Sequence, residues 1–245
     1  GTTAKTSWTV DIACTRHTPA LMQFGRSVVV GHNVRIVVNG PFNMLKAVFF
    51  DLDGTLVRGY DTERGEEIDL HYKSWRAVLD PLGICLGRTE YQEAMTGRTN
   101  KACEAFLRAR WPKTSLEGIW REKEVLYRRE MVPAHLQLLP GAHALFTALA
   151  LQGIKTGILT NAPTDNINAA LDALDLRSQF PGSAILNGAA LERDGLTAKP
   201  APDGLRVLAR RFDVTLDECI YIGDSPADFA AAGAAPMASI GVCTT

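Results

Sequence analysis

From residue 139 onward, short apolar runs alternate with stretches of helical period, and few folds accept that order. The pattern predicts helices over 142–151, 164–174, 202–212 and 226–232. It predicts strands over 155–159, 184–186, 219–222 and 237–242. Pro202 near one helix start and Gly233 after another helix end agree with those limits. Strands separated by helices of about 10–15 residues pair in parallel, and right-handed crossovers put helices on both faces of the sheet. One earlier segment fits the same sheet. Leu45 to Phe50 is apolar apart from Lys46 and stops at Asp51-Leu52-Asp53-Gly54-Thr55, as a strand covered on both faces does where it leaves the sheet. The fold class expected is α/β, with a Rossmann-like doubly wound parallel sheet as its core.

Between these stretches, residues 58–138 carry more charge and helical spacing. Apolar or aromatic positions recur near that period over 70–82, 101–111 and 116–131, punctuated by Pro81-Leu82-Gly83, Gly97 and Trp111-Pro112. No strand-like alternation stands out. The segment is expected to be a small all-helical cap domain, inserted into a core built from 44–57 and 139–245. Residues 1–43 are rich in Thr, Val and Asn and show no helical period. They are expected to be an N-terminal extension, non-native or poorly packed, in which 28–30 and 34–38 pair as a hairpin across Gly31-His32-Asn33.

Charge narrows the function classes. The 245 residues carry 26 Lys and Arg against 27 Asp and Glu, a formal net charge of −1. With no basic excess and no basic amphipathic stretch, neither nucleic acid nor a membrane surface is an expected partner. No apolar run approaches the ~18–20 residues of a bilayer span, and the start of the chain lacks the basic-then-apolar order of a signal peptide. The five cysteines (Cys14, Cys85, Cys103, Cys219, Cys243) are scattered without C-x-x-C spacing. That disfavours zinc and disulfides and fits a reduced, cytoplasmic compartment. Both a monomer and a homodimer are open.

In open α/β sheets, functional groups gather beyond the carboxyl ends of the strands, and four polar clusters fall at such places. Asp51 and Asp53 would be neighbours whose repulsion favours a bound cation or a raised pKa on one of them. Asp51 suits a nucleophile and Asp53 a proton carrier. Gly54 permits a sharp turn, and Thr55 could donate to a phosphate oxygen or fix the loop. Thr160-Asn161 offers a hydroxyl and backbone N–H groups to an anion at a helix start, although a plain N-cap is the commoner use of such residues. Lys199, in Lys199-Pro200-Ala201-Pro202, could neutralise a phosphate and the carboxylate it joins. Asp224 and Asp228, in Gly223-Asp224-Ser225-Pro226-Ala227-Asp228, are hard oxygen ligands of the kind Mg²⁺ takes. Helix capping by Asp224 or Ser225 is about as good an explanation of that segment alone.

In that order, over 44–245, the clusters resemble the four motifs of the haloacid dehalogenase superfamily of phosphatases and phosphomutases. The helical insert, Leu139-Pro140-Gly141-Ala142 and Lys199-Pro200-Ala201-Pro202-Asp203 resemble the subgroup that contains phosphoglycolate phosphatases and beta-phosphoglucomutases. The resemblance implies a Mg²⁺-dependent phosphomonoester hydrolase acting on a small phosphorylated metabolite. Asp51 would form an aspartyl-phosphate, and Asp53 would protonate the leaving alcohol and then activate water. Mg²⁺ would be held by Asp51, the Asp53 carbonyl and Asp224, with Asp228 in support, while Thr160, Asn161 and Lys199 would hold phosphoryl oxygens. Gly97-Arg98-Thr99 falls where a specificity loop would, so Arg98 could clamp a second polar group. His71 and Lys73 lie near the first cap helix and could face the site. The link from Arg58 to Asp69 is longer and more charged than is usual in the family. A sugar phosphomutase is the second expectation, and a non-catalytic phosphate-binding module of the same fold the third. A phosphonate-cleaving enzyme would need an amine in the cap, for which Lys73 is the nearby candidate.

Overall fold

The computed structural model describes residues 9–14, 27–29, 34–39 and 45–242. In the first 44 residues these are three strands, β1 (Thr9–Cys14), β2 (Ser27–Val29) and β3 (Val34–Asn39), in an antiparallel sheet of order β1-β3-β2. The expected pairing of β2 with β3 is present, and β1 is an addition with no turn signal to announce it. Gly31-His32-Asn33 lies outside the described residues.

The strand before the first acidic cluster is β4 (Ala47–Phe50). After it the chain forms β5 (Val57–Asp61) and β6 (Glu66–Ile68), then five helices: α1 (Leu70–Leu79), α2 (Arg88–Ala94), α3 (Asn100–Arg110), α4 (Ile119–Leu126) and α5 (Val132–His135). A π-helical turn, Tyr127–Met131, joins the last two. β7 (Leu136–Leu138) returns the chain and pairs with β5, giving a small antiparallel sheet of order β6-β5-β7. The helices expected in the insert are there. The ribbon under them was not expected, because strands of three to five residues with half-exposed side chains leave no alternation to read.

The remainder follows the predicted alternation: α6 (Ala142–Leu151), β8 (Lys155–Thr160), α7 (Thr164–Ala173), β9 (Ile185–Asn187), α8 (Gly188–Arg193), α9 (Asp203–Arg211), β10 (Cys219–Gly223), α10 (Pro226–Ala234) and β11 (Ala238–Gly241). Five strands form a fully parallel sheet of order β11-β10-β4-β8-β9. α8 is the one helix of this half that the pattern missed.

The pleat of β4 explains its unbroken apolar run. Val48 and Phe50 face α6 and α7, meeting Phe146, Leu149, Ile167 and Leu171. Ala47 and Phe49 face the opposite side, with Leu205 and Leu208 of α9 and Ala231 of α10. Burying each of the large side chains contributes roughly 1.5–3 kcal/mol, before the entropy of ordering the chain is set against it. The insert has a separate apolar cluster, centred on Trp75, Leu79, Leu86, Tyr91 and Leu107. A smaller one (Leu70, Tyr127, Met131, Val132) lies where insert and α7 meet, with Ala169 packed against it. Among the described residues no helix is long and apolar enough to cross a membrane.

Candidate active site

Three strands of the parallel sheet end at one edge with polar residues. β4 delivers Asp51, β8 ends at Thr160, and β10 delivers Asp224. The Asp51 N–H donates to the Ile222 carbonyl at 2.8 Å, so the first carboxylate leaves the sheet locked to the neighbouring strand. Leu52 then buries into the core, and Asp51 and Asp53 part company around it. Asp51 turns to the sheet-edge loops, and Asp53 turns to the insert.

Around Asp51 the groups are buried and charged. Lys199 Nζ lies 2.9 Å from Asp51 Oδ1 and 2.6 Å from Asp228 Oδ1, and it reaches the Tyr221 hydroxyl at 3.0 Å. Asp51 Oδ1 accepts no aligned hydrogen bond from any described residue. Both oxygens of Asp228 are engaged. Oδ1 faces Lys199 and the Tyr221 hydroxyl (2.8 Å), and Oδ2 accepts from Ser225 N–H at 2.9 Å and Ser225 Oγ at 2.7 Å. Asp228 thus caps the start of α10 and anchors Lys199 at the same time, so capping and site-building are both present in that segment. Gly54 has φ +81°, and a Cβ there would lie 2.2 Å from Asp224 Oδ2, so only glycine lets the first loop pass this close to Asp224. Thr55 Oγ1 donates to Asp224 Oδ1 at 3.0 Å.

One carboxylate oxygen each from Asp51, Asp224 and Asp228 falls within 4.8 Å of the other two. Three carboxylates against one ammonium leave this cluster two negative charges out of balance. Burial pushes the Asp51 carboxyl up to about 7, against the pull of Lys199 and with help from Asp228 and Asp224. Burial likewise raises Asp224 to about 6, against its Thr55 hydrogen bond. Burial would raise Asp228 too, but Lys199 and Ser225 outweigh it and hold that carboxyl below the usual range. Burial would lower Lys199, but Asp51 and Asp228 outweigh it and raise the ammonium. Hard oxygen donors within 4.8 Å of one another and a surplus of negative charge fit a divalent cation such as Mg²⁺.

Asp53 meets a second polar chain, contributed by the insert. His71 Nε2 lies 3.3 Å from Asp53 Oδ1, and the Tyr127 hydroxyl donates to the same oxygen at 3.1 Å. The His71 and Tyr127 rings stack with centroids 4.3 Å apart. Lys123 Nζ is 2.7 Å from His71 Nδ1. An ammonium only donates, so the network assigns Nδ1 as acceptor and places the ring hydrogen on Nε2, toward Asp53. Lys123 is 2 % exposed, sits over the Trp75 and Tyr127 rings, and pairs with the equally buried Glu124 at 2.9 Å. Burial would raise the Asp53 carboxyl, but His71, Lys123 and Tyr127 outweigh it and lower the pKa.

A cavity of about 570 Å³ lies between sheet edge and insert, with Asp51, Asp53, His71, Lys123, Lys199 and Asp224 on its wall. Thr160 lines it from the end of β8, with its hydroxyl accepting from Ala162 N–H at 3.1 Å. Arg98 lines it and is exposed. Arg58, Arg88 and Lys123 also line it, each already paired with a carboxylate: Glu67, Asp69 and Glu124 respectively.

Three of the expected residues also have protein partners. Thr55, expected to donate to a phosphate oxygen or fix the loop, holds Asp224 and is absent from the cavity wall. Asn161 lines the cavity, and its side-chain amide donates to Gly97 O at 2.8 Å and Lys199 O at 3.0 Å. Asp228, expected in support of the metal, stands in the carboxylate cluster with both oxygens also held by protein donors. Lys73 is exposed and lines no part of the cavity, so it is not placed to serve as the amine of phosphonate chemistry. Lys123, Glu124, Tyr127 and Tyr221 were missed. Nothing marks them in sequence, since charged pairs on an amphipathic helix are usually solvated and a tyrosine in a strand is usually core.

A family model described as haloacid dehalogenase-like hydrolase matches residues 45–236. The phosphoglycolate phosphatase of Rhodospirillum rubrum is 32% identical over 202 residues, covering 78% of this chain and 77% of that protein. The phosphoglycolate phosphatase of Escherichia coli K12 is 31% identical over 218 residues, covering 82% of each. Among solved structures, CbbY from Rhodobacter sphaeroides in complex with phosphate superposes with a TM-score of 0.65 at 25% identity, covering 82% of this chain and 87% of that one. A haloacid dehalogenase hydrolase, family IA variant 3, from Entamoeba histolytica gives 0.66 at 25% identity, with 81% and 84% covered. The matched segment spans well over half of the chain and holds all four polar clusters, and the chain belongs to the haloacid dehalogenase-like hydrolases.

Proposed function

We propose that the protein is a Mg²⁺-dependent phosphatase that hydrolyses a small phosphorylated metabolite through a phosphoryl group carried on Asp51. One observation carries the reading. The buried Asp51 carboxylate sits 2.9 Å from a lysine ammonium, beside a second carboxylate, on the wall of a cavity able to hold a metabolite. Phosphoryl transfer needs in-line placement and dispersed positive charge more than elaborate covalent machinery, and Lys199 together with a bound Mg²⁺ would supply that charge.

In the first step an Asp51 oxygen attacks phosphorus, the bond to the leaving oxygen breaks, and Asp53 gives that oxygen a proton. In the second, Asp53 takes a proton from water, the water oxygen attacks phosphorus, and the bond to Asp51 breaks. His71 and Tyr127 favour ionised Asp53, the state needed by the second step. The charge of an incoming phosphate monoester favours the protonated state needed by the first. Lys199 neutralises phosphoryl oxygens, and Thr160 presents its hydroxyl from the end of β8. Asp51, Asp224 and the Asp53 carbonyl would hold Mg²⁺, which when bound supplies charge that screens the nucleophile from the phosphoryl oxygens. In this reading residues 58–138 act as a cap over a core of 44–57 and 139–245, and Arg98 meets the far end of the metabolite.

The relatives named for phosphoglycolate make that compound the first to try, within a panel of phosphorylated metabolites assayed with Mg²⁺ and with a chelator. Asp51→Asn should abolish phosphate release while leaving the circular dichroism unchanged. Full activity in that variant would remove Asp51 from the chemistry. Turnover without a sugar-bisphosphate activator would favour the hydrolase over a phosphomutase.

A further inference from the structure

Asn166 lies in the first turn of α7, away from every cluster the sequence singled out, and is 2 % exposed. A buried carboxamide must find donors and acceptors or lose stability. This one finds them on the insert. Its Nδ2 donates to Glu124 Oε2, and its Oδ1 accepts from Arg128 Nη1 at 3.0 Å. Both ends of an amide on the sheet side are therefore taken up by one edge of the insert.

That edge leads to the acid–base carboxylate. Glu124 also receives Asn100 Nδ2 at 2.9 Å and Lys123 Nζ at 2.9 Å, so its position fixes that of the lysine beside it. Lys123 Nζ then stands 2.7 Å from His71 Nδ1, and His71 Nε2 stands 3.3 Å from Asp53 Oδ1. Lys123 and His71 belong to the insert, and Asp53 belongs to the loop after β4. Their alignment depends on how the insert is seated, and Asn166 is a seat of matching polarity: a donor for the carboxylate and an acceptor for the guanidinium.

We propose that Asn166 is a positioning residue whose carboxamide seats the Glu124–Arg128 edge of the insert and thereby sets where Lys123 and His71 stand over Asp53. The catalytic part of this inference rests on the phosphatase reading, and the seating part does not. Asn166 has no hydrogen bond to Asp51, Lys199 or Asp224, so phosphate held by the sheet edge should not register its loss.

Asn166→Ala, Arg128→Ala and the double variant test this with two readouts. The first is hydrogen exchange over residues 119–128, expected to quicken about tenfold in Asn166→Ala while β4 and β8 keep wild-type rates, as loss of two hydrogen bonds to charged partners implies. The second is kcat/KM for an alkyl phosphate that the wild type turns over, set against p-nitrophenyl phosphate and against inhibition by inorganic phosphate. The alkyl ester leaves only with a proton and should lose about tenfold. The nitrophenyl ester needs little protonation and should stay within about threefold, with phosphate inhibition unchanged. The double variant should be no worse than Asn166→Ala, because both remove the same seat. Unchanged exchange, equal losses on both esters, or weaker phosphate inhibition would each overturn the proposal. Should Asn166→Ala not fold, Arg128→Ala, at a half-exposed position, carries the same expectations with smaller size. A wild type without turnover would count against the phosphatase reading, and the exchange comparison alone would then decide the seating.

Discussion

On the sheet side of the cavity, Asp51 and Asp224 follow the paired strands β4 and β10, Asp228 lies in the first turn of α10 and Lys199 in the loop before α9, and the one cation among them touches two carboxylates. On the insert side, His71, Lys123, Glu124 and Tyr127 come from helices whose apolar cluster shares no residue with the core. The first wall concentrates charge where phosphorus would lie, and the second aligns a relay on Asp53. Under the proposed function the contrast teaches a division of labour: the sheet would bind the phosphoryl group and the insert would manage the proton. Substitutions on the two walls should fail differently.

Lys199→Met should have the largest effect among these tests. It strips a buried cation from two carboxylates, so kcat/KM should fall by about 10³ and inhibition by inorganic phosphate should weaken in parallel, with a lower melting temperature besides. Lys123→Met keeps the packing over Trp75 and Tyr127 but deprives His71 Nδ1 of its donor. It should lower kcat/KM for alkyl phosphates by about 10² with phosphate inhibition intact. If it weakened phosphate inhibition as Lys199→Met does, the division between walls would be broken.

Gly97→Ala acts where the walls touch. Gly97 has φ +72°, its carbonyl accepts from Asn161, and a Cβ there would lie 2.7 Å from Ser225 Oγ. Lifting that loop should cost about tenfold in kcat/KM and show itself chiefly in KM, since Arg98 moves with it. A last test is a shift in stability with pH. In the metal-free protein Asp51 holds its proton to about 7 and Asp224 to about 6, whereas both release near 3.8 when unfolded. Folding therefore takes up protons in that window, and metal-free stability should fall as pH rises from about 4 to about 7. Mg²⁺ competes with those protons, so it should raise the melting temperature more at about pH 8 than at about pH 5. Equal shifts at both would place the cation elsewhere.

The two walls also differ in how far sequence disclosed them. Asp51, Asp224 and Lys199 could be found because each follows a strand or opens a helix in a pattern that only a parallel sheet satisfies. His71 was a guess from position that the geometry places on Asp53. Lys123 and Asn166 gave no signal, since their burial depends on how helices close over a distant loop, a long-range fact that local period does not carry. Thr55 and Asn161 carry groups that can serve an anion or the loop itself, and local sequence does not say which. What engages them, Asp224 and the carbonyls of Gly97 and Lys199, appears only once the chain is folded.

Trapping the covalent step tests the central claim most directly. Enzyme quenched in acid during turnover of a phosphate ester, reduced with borohydride and mapped by mass spectrometry should carry homoserine at position 51, formed from the acyl phosphate. Absence of that product at 51 under steady turnover, or its appearance at 53 instead, would contradict the account.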